Sequence, residues 1–227
     1  MKVKVTVVAV CLCLLAIPHA AFGQEENNDN PTITSSAAVS ASAPVGSLSQ
    51  FSNAGLGLDF SGGYNFTRRH AVMAEFMWNW LYATGSSLQP VRDVLQTNRV
   101  GGHGNLIAIT AEYKYELRGR SLGAYLIGGT GLYHREAQLT KQIPTGTPIP
   151  CRPVSVWLWW GYVCGNATTS TTLASSSAEA LGVNGGIGFT VRTGEAPYRW
   201  FVECRYHYAP TKNINTQLVT FNIGVRY

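Results

Sequence analysis

The chain has 227 residues, of which 45% are hydrophobic and 11% aromatic but only 13% charged, with 24 glycines and a formal charge of +5. That size corresponds to about one domain, and a glycine- and aromatic-rich, charge-poor composition fits an all-β protein. No dense Lys/Arg run occurs, which argues against a nucleic-acid partner, and beyond the N-terminus no uninterrupted apolar run is long enough for a helical membrane span.

Residues 1–23 have the parts of a secretory signal peptide. Lys2 and Lys4 form a positive n-region, Val5 to Ile17 an apolar core, and Ala21-Phe22-Gly23 a small-residue cleavage site. Cys11 and Cys13 lie within the apolar core and not at its end, which does not fit a lipoprotein anchor. Cleavage leaves an exported chain with 15 basic and 12 acidic residues and three cysteines, Cys151, Cys164 and Cys204.

Residues 24–50 read as a polar linker, acidic and amide-rich at first and then Ser/Ala-rich, with a weak strand pattern from Thr32 to Val45. The barrel-like pattern occupies residues 51–227. Leu56, Leu58, Phe60, Tyr64 and Phe66 alternate with Gly57, Asp59, Ser61, Gly63 and Asn65. Such alternation sends the two sets to opposite faces of a strand. A tight turn at Thr67-Arg68-Arg69 leads to His70–Leu81, with Val72, Ala74, Phe76, Trp78 and Trp80 on one side and Met73, Glu75, Met77 and Asn79 on the other.

Residues 82–104 read as a long polar connection. Ile107, Ile109, Ala111, Tyr113, Tyr115 and Leu117 then alternate with Thr110, Glu112, Lys114 and Glu116, ahead of a second tight turn at Arg118-Gly119-Arg120. Leu122–His134 is strand-like, but Gly128, Gly129 and Gly131 leave its faces ambiguous; Tyr125, Ile127 and Tyr133 are assigned to the outer face. Residues 135–176, rich in Pro, Ser and Thr, form the longest connection, a predicted outer loop.

Leu181, Val183, Ile187, Phe189 and Val191 mark the next strand. Residues 198–208, YRWFVECRYHY, follow, with Tyr198, Trp200, Val202, Cys204, Tyr206 and Tyr208 on an apolar face. Arg199, Glu203, Arg205 and His207 lie on the opposite face with Phe201. The chain ends on Val219, Phe221, Ile223, Val225 and Tyr227.

Seven such segments, joined by alternately short and long connections, predict a transmembrane, antiparallel, up-and-down β-barrel. An even strand number requires an eighth, from Thr32–Val45 or from Val154–Val163. Using the second would place the tight turns outside and the 82–104 connection in the periplasm, so the N-terminal segment is preferred. The fold class is therefore all-β, an eight-stranded barrel preceded by a signal peptide.

The segments Arg68–Asn79, Gly185–Arg192 and Arg199–Tyr208, together with the terminal FNIGVRY, resemble the small bacterial outer-membrane β-barrel domain family, with outer membrane protein A-type architecture. The resemblance implies residence in the bacterial outer membrane, in contact with the lipid bilayer. It implies no agreed biochemical activity. It also implies that Tyr227 acts as the terminal aromatic signal read by the outer-membrane assembly machinery.

Parity places Asp59, Glu75, Glu112, Lys114, Arg192, Arg199, Glu203 and Arg205 inside, along with Glu116 and Arg226. An eight-stranded barrel is just wide enough for side chains to fill, so these are expected to form an ionic plug, with Asp59, Glu75 and Glu203 facing Lys114 and Arg205. Two aromatic girdles are expected at the bilayer interfaces. One is Trp78, Trp80, Tyr206 and Tyr208; the other contains Tyr64, Phe66, Tyr115, Tyr198, Trp200 and Tyr227.

Cys151 and Cys164, in an oxidising compartment, are a candidate disulfide, with two free thiols as the alternative. Cys204 reads as a small apolar residue without a partner. Trp157, Trp159 and Trp160 form an apolar knot between the loop cysteines.

The expected function is a structural or surface-interaction role, with a surface ligand reached through the outer loops. The alternatives are a narrow ion or solute channel and a lipid-modifying outer-membrane enzyme. His207 shares a face with Glu203 but has no nearby serine in sequence, and no HExxH, P-loop or CxxC motif occurs. No catalytic residue, metal or cofactor is assigned.

Overall fold

Eight antiparallel strands close into a barrel in chain order, each paired with its sequence neighbours and the last with the first. The computed structural model describes residues 33–119, 121–154, 161–194, 196–211 and 213–227, with side chains except at 118, 145–154 and 161–168. The expected signal peptide lies outside the described residues. So do the start of the linker and the Trp157, Trp159 and Trp160 knot.

The strands are β1 (Ile33–Pro44), β2 (Ser52–Asn65), β3 (His70–Ala83), β4 (Val100–Arg118), β5 (Leu122–Val154), β6 (Gly161–Val191), β7 (Arg199–Ala209) and β8 (Thr216–Arg226). The β2–β3, β4–β5 and β6–β7 connections lie at the same end as Ile33 and Tyr227. In an outer-membrane barrel the end with short turns faces the periplasm. Among the described residues no helix is long and apolar enough to cross a membrane.

The N-terminal segment supplies the eighth strand. β1 aligns Ala37 with Phe60 on one side and with Val225 on the other. Its alternation is weak because the residues are small. Thr34, Ser40 and Ser42 are buried inside, where Ser40 Oγ donates to Asn79 Oδ1 at 3.3 Å. Thus much of the expected linker at 24–50 belongs to the wall.

Two expected connections differ from the sequence reading. Within 82–104, β3 continues to Ala83 and β4 begins at Val100. Between them lies a helix, α1 (Gly85–Leu95), capped by Thr84, whose hydroxyl accepts from the Ser87 amide at 3.3 Å. The predicted loop at 135–176 is instead a β-ribbon: β5 and β6 pair from Leu122–Val191 to Val154–Gly161, with register shifts near Thr140, Pro148 and Arg152. Outside the membrane neither face of this ribbon needs an apolar coat, so there is no alternation for the sequence to display.

The face assignment of β5 is reversed. Tyr125, Ile127 and Tyr133 point inward, with Tyr125 only 3% exposed, whereas Leu126 and Leu132 are outside at 58% and 62%. Glycines on the neighbouring strand β6 make the inward arrangement fit. Tyr125 lies across Gly188, where an added Cβ would come within 2.2 Å of its ring.

Candidate functional site

The lumen is where the chain's buried chemistry converges. Parity turns Glu75 of β3, Glu112 of β4 and both Glu203 and Arg205 of β7 inward, and Arg205 joins them. Its Nη1 donates to Glu75 Oε1 at 2.7 Å and also to Glu112 Oε1; Nη2 lies 2.6 Å and Nε 2.9 Å from Glu203 Oε1. Gly186 leaves room for the arginine stem, since a Cβ there would meet Arg205 Cγ at 2.9 Å.

Neutral donors complete the cluster. Thr110 Oγ1 and Asn184 Nδ2 donate to Glu112 at 2.9 and 3.0 Å, and Asn222 Nδ2 and Tyr125 OH donate to Glu203 at 3.2 and 2.8 Å. Burial of charge is tolerable only when ions are paired and their remaining lone pairs are satisfied. Lys114 pairs with Glu116 at 2.9 Å. The Arg226 guanidinium lies 4.6 Å from the Tyr125 ring and 4.8 Å from the Phe201 ring, a cation–π arrangement.

This arrangement differs in detail from the sequence expectation. Glu112 occupies the place given to Lys114, and Lys114 faces Glu116 instead of the central acids. Asp59 is buried beside the cluster but forms no ion pair among the described residues. Arg192 and Arg199 are half-exposed at the periplasmic mouth, where Arg199 Nη2 donates to the Gly119 carbonyl at 3.2 Å. They are too near the strand ends to reach the centre.

Apolar packing lies on both sides of the ions. Toward the outer end, Leu48, Met77, Leu81, Leu106, Tyr133 and Leu218 form one buried cluster, with Leu48 entering from the β1–β2 connection. Toward the periplasm, Ala38, Met73, Tyr125, Ile127 and Phe201 form another. Sequence reasoning missed the role of Leu106 and Leu218 because inward leucines break the polar-inside expectation. Between the clusters, a cavity of about 10 Å³ is bordered by Asp59, Glu75, Glu203, Arg205 and Arg226. That is room for about one water molecule.

His207 is buried on the same inner face as the ions. Its Nδ1 is 3.1 Å from Tyr133 OH and its Nε2 3.3 Å from Thr220 Oγ1. His134 pairs with Glu179 at 3.2 Å on the exposed outer part of the barrel. Among the described residues no group of His, Cys, Asp and Glu is arranged to hold a metal ion.

The outside of the wall is apolar, with exposed Leu56, Val72, Phe76, Ile109, Val202 and Ile223. Trp78 packs on Trp80 at 4.3 Å between centroids, on the outer half of β3, and Tyr206 and Tyr208 occupy the outer half of β7. At the periplasmic end Tyr64 meets Phe66 and Tyr198 meets Trp200, both edge-on, with Tyr115 and Tyr227 at neighbouring strand ends. Tyr227 is stitched into the β8–β1 seam: its amide donates to the Ser35 carbonyl at 2.8 Å, and its carbonyl accepts from the Ser35 amide and from Thr34 Oγ1.

The backbone register brackets Cys151 and Cys164 between the pairs Ile149–Gly165 and Arg152–Val163, on facing strands of the ribbon. Their side chains lie outside the described set. Cys204, expected to have no partner, is a disulfide cysteine.

A family model described as outer membrane protein beta-barrel domain matches residues 7–227. Among solved structures, the attachment invasion locus protein Ail of Yersinia pestis is 15% identical, with 86% of this chain and 96% of that chain covered and a TM-score of 0.45. Ail in complex with the heparin analogue sucrose octasulfate gives 17% identity, the same coverage and the same score. Neisserial surface protein A is 15% identical over 86% of this chain and 96% of that chain, with a TM-score of 0.46. No curated protein matches the chain by sequence.

Proposed function

The chain belongs to the outer membrane protein beta-barrel domain family, and from that premise we propose that it is a non-conducting, non-enzymatic barrel that carries surface structure outward. Residence in the bacterial outer membrane follows from the family and the apolar wall. The carrying observation for the rest is the layered lumen: three carboxylates on Arg205, with packed apolar clusters above and below. A permeant ion would have to part charge pairs that the low-dielectric interior strengthens. It would then have to pass leucines that offer it no ligand.

The same layering supports a non-enzymatic reading, because His207 is sealed from both solvent and lipid. The extended β5–β6 ribbon and the α1 connection then present the surface-interacting part, resting on a rigid wall. The seam position of Tyr227 is compatible with its reading by the assembly machinery before β8 closes on β1.

Planar-bilayer recording of the refolded full chain tests closure. The expected result is a silent membrane for both the native protein and Glu203→Gln. Reproducible, salt-dependent steps that change with Glu203→Gln would favour the narrow-channel reading instead.

A further inference from the structure

The chain's densest positive charge sits at the periplasmic rim. The β2–β3 turn holds Arg68 and Arg69, Arg118 and Arg120 flank Gly119, and the β6–β7 connection runs from Arg192 to Arg199. Against these six arginines, the same connections contain one acid, Glu195. The outer connections, at 45–51, 84–99, 135–176 and 210–215, hold six bases and two acids spread over a far longer chain. An ordinary solvated surface would mix the two signs.

Hydrogen bonds join these turns into one rim. The Glu116 amide donates to the Arg69 carbonyl and the Arg192 amide to the Ser121 carbonyl, each at 2.7 Å. Arg199 Nη2 reaches the Gly119 carbonyl at 3.2 Å, which draws the β6–β7 connection against the β4–β5 turn. Exposed Tyr64, Phe66, Tyr198, Trp200 and Tyr227 mark the neighbouring strand ends. Aromatic rings of this kind sit where hydrocarbon gives way to headgroups. Arg68 and Arg69 follow Phe66 by two and three residues, which sets them at headgroup depth on the periplasmic side.

We propose that this rim is a binding surface for anionic phospholipids of the inner leaflet, through their phosphate groups. A guanidinium presents a planar fork that matches phosphate oxygens, and basic residues near an anionic leaflet add their attractions. The preference gives the barrel a second anchor besides its apolar belt. It resists both vertical displacement and tilt, because Arg68 and Arg69 lie on the β2–β3 turn while Arg192 and Arg199 bound the β6–β7 connection. It also provides a role for a positive balance that the ionic lumen, richer in acids than in bases, does not explain.

The test places the refolded full chain in nanodiscs of phosphatidylethanolamine with a minor fraction of phosphatidylglycerol, and weighs the lipids retained on release by native mass spectrometry. Phosphatidylglycerol is expected on the native protein at several times its bulk share, falling toward bulk in Arg68→Gln/Arg69→Gln and persisting in Arg68→Lys/Arg69→Lys. Faster gel migration without heating establishes that each variant is folded. If the Gln variant does not fold, high salt applied to the native protein is expected to remove the enrichment, since these groups border water.

Bulk lipid proportions on the native protein would overturn the proposal. Equal enrichment in the folded Gln variant, or enrichment insensitive to salt, would do the same. When lipid A is added, a preference for it that survives the Gln substitutions would place phosphate recognition on the outer loops and so reject the rim.

Discussion

Arg205 on β7 reaches across the lumen to Glu75 on β3, with 2.7 Å between Nη1 and Oε1. The two strands lie four places apart in a ring of eight, so the bond spans the barrel along a diameter. Glu112 of β4 and Glu203 of β7 complete the grip. The cluster therefore joins walls that share no backbone ladder, which makes it a cross-brace.

Removal of the brace exposes its value. Arg205→Ala leaves three buried carboxylates without their cation and is expected to cost about 3–5 kcal/mol. The urea midpoint of the barrel, followed by tryptophan fluorescence, reads this directly. A variant that also carries Glu75→Gln, Glu112→Gln and Glu203→Gln is expected to regain most of the loss, because no unpaired charge remains. An equally low midpoint in both variants would show that packing volume, not charge pairing, dominates.

Tyr125 depends on the glycine beneath it. Gly188→Ala introduces a Cβ at the position that lies 2.2 Å from the tyrosine ring, so the ring must lift and its 2.8 Å bond to Glu203 must weaken. The expected cost is about 1–3 kcal/mol. The effect is expected to be non-additive with Tyr125→Phe, which already lacks the bond. Simple additivity in unfolding measurements would contradict the contact.

The apolar wall predicts a contrast between two added charges. Val202 lies outside, midway between the aromatic pairs of β7, and Val202→Arg is expected to destabilise the folded barrel by about 2–4 kcal/mol in a bilayer. Thr171 is exposed on the outer ribbon, and Thr171→Arg is expected to be nearly neutral. Folding yields in vesicles and unfolding midpoints measure both. Equal penalties would misplace the membrane boundary.

The ribbon register brings Cys151 and Cys164 onto facing strands. If they form a disulfide, the single tryptic peptide 142–192 that holds both cysteines is expected to gain two hydrogens in mass only after reduction, and Cys151→Ser/Cys164→Ser is expected to make the ribbon more sensitive to limited proteolysis. The closed loop is short, so the constraint is worth roughly 3 kcal/mol in a chain-entropy account. Quantitative maleimide labelling of both thiols without reductant would exclude the bond.

The transmembrane part of the fold was largely legible because lipid imposes period two. Leu56, Phe60, Val72, Phe76, Ile109 and Val202 face outward as expected, and Asp59, Glu75, Glu112 and Glu203 are buried inside. Legibility failed where that constraint lapsed. The faces of β5 are reversed from the sequence expectation because Gly128, Gly129 and Gly131 carry no side chain that reports a face. The 135–176 ribbon carries no alternation in sequence because water on both sides removes the pattern, while long cross-strand pairing remains. Helix α1 was missed because one buried leucine, Leu88, is too little apolar material for a helical signal.

By itself, the sequence determined which residues of the strands with clear alternation meet lipid and which line the interior, since side-chain direction in a strand follows from local geometry; in glycine-rich β5 it did not. It could not determine partners across the lumen. Whether Arg205 meets Glu75, Glu112 or Asp59 depends on strand stagger and barrel closure, and Lys114 was matched to the wrong acids for that reason. The apolar layers of Leu106 and Leu218 likewise form only after distant strands meet. Local alternation sets the face, but only closure brings opposite walls within hydrogen-bonding distance.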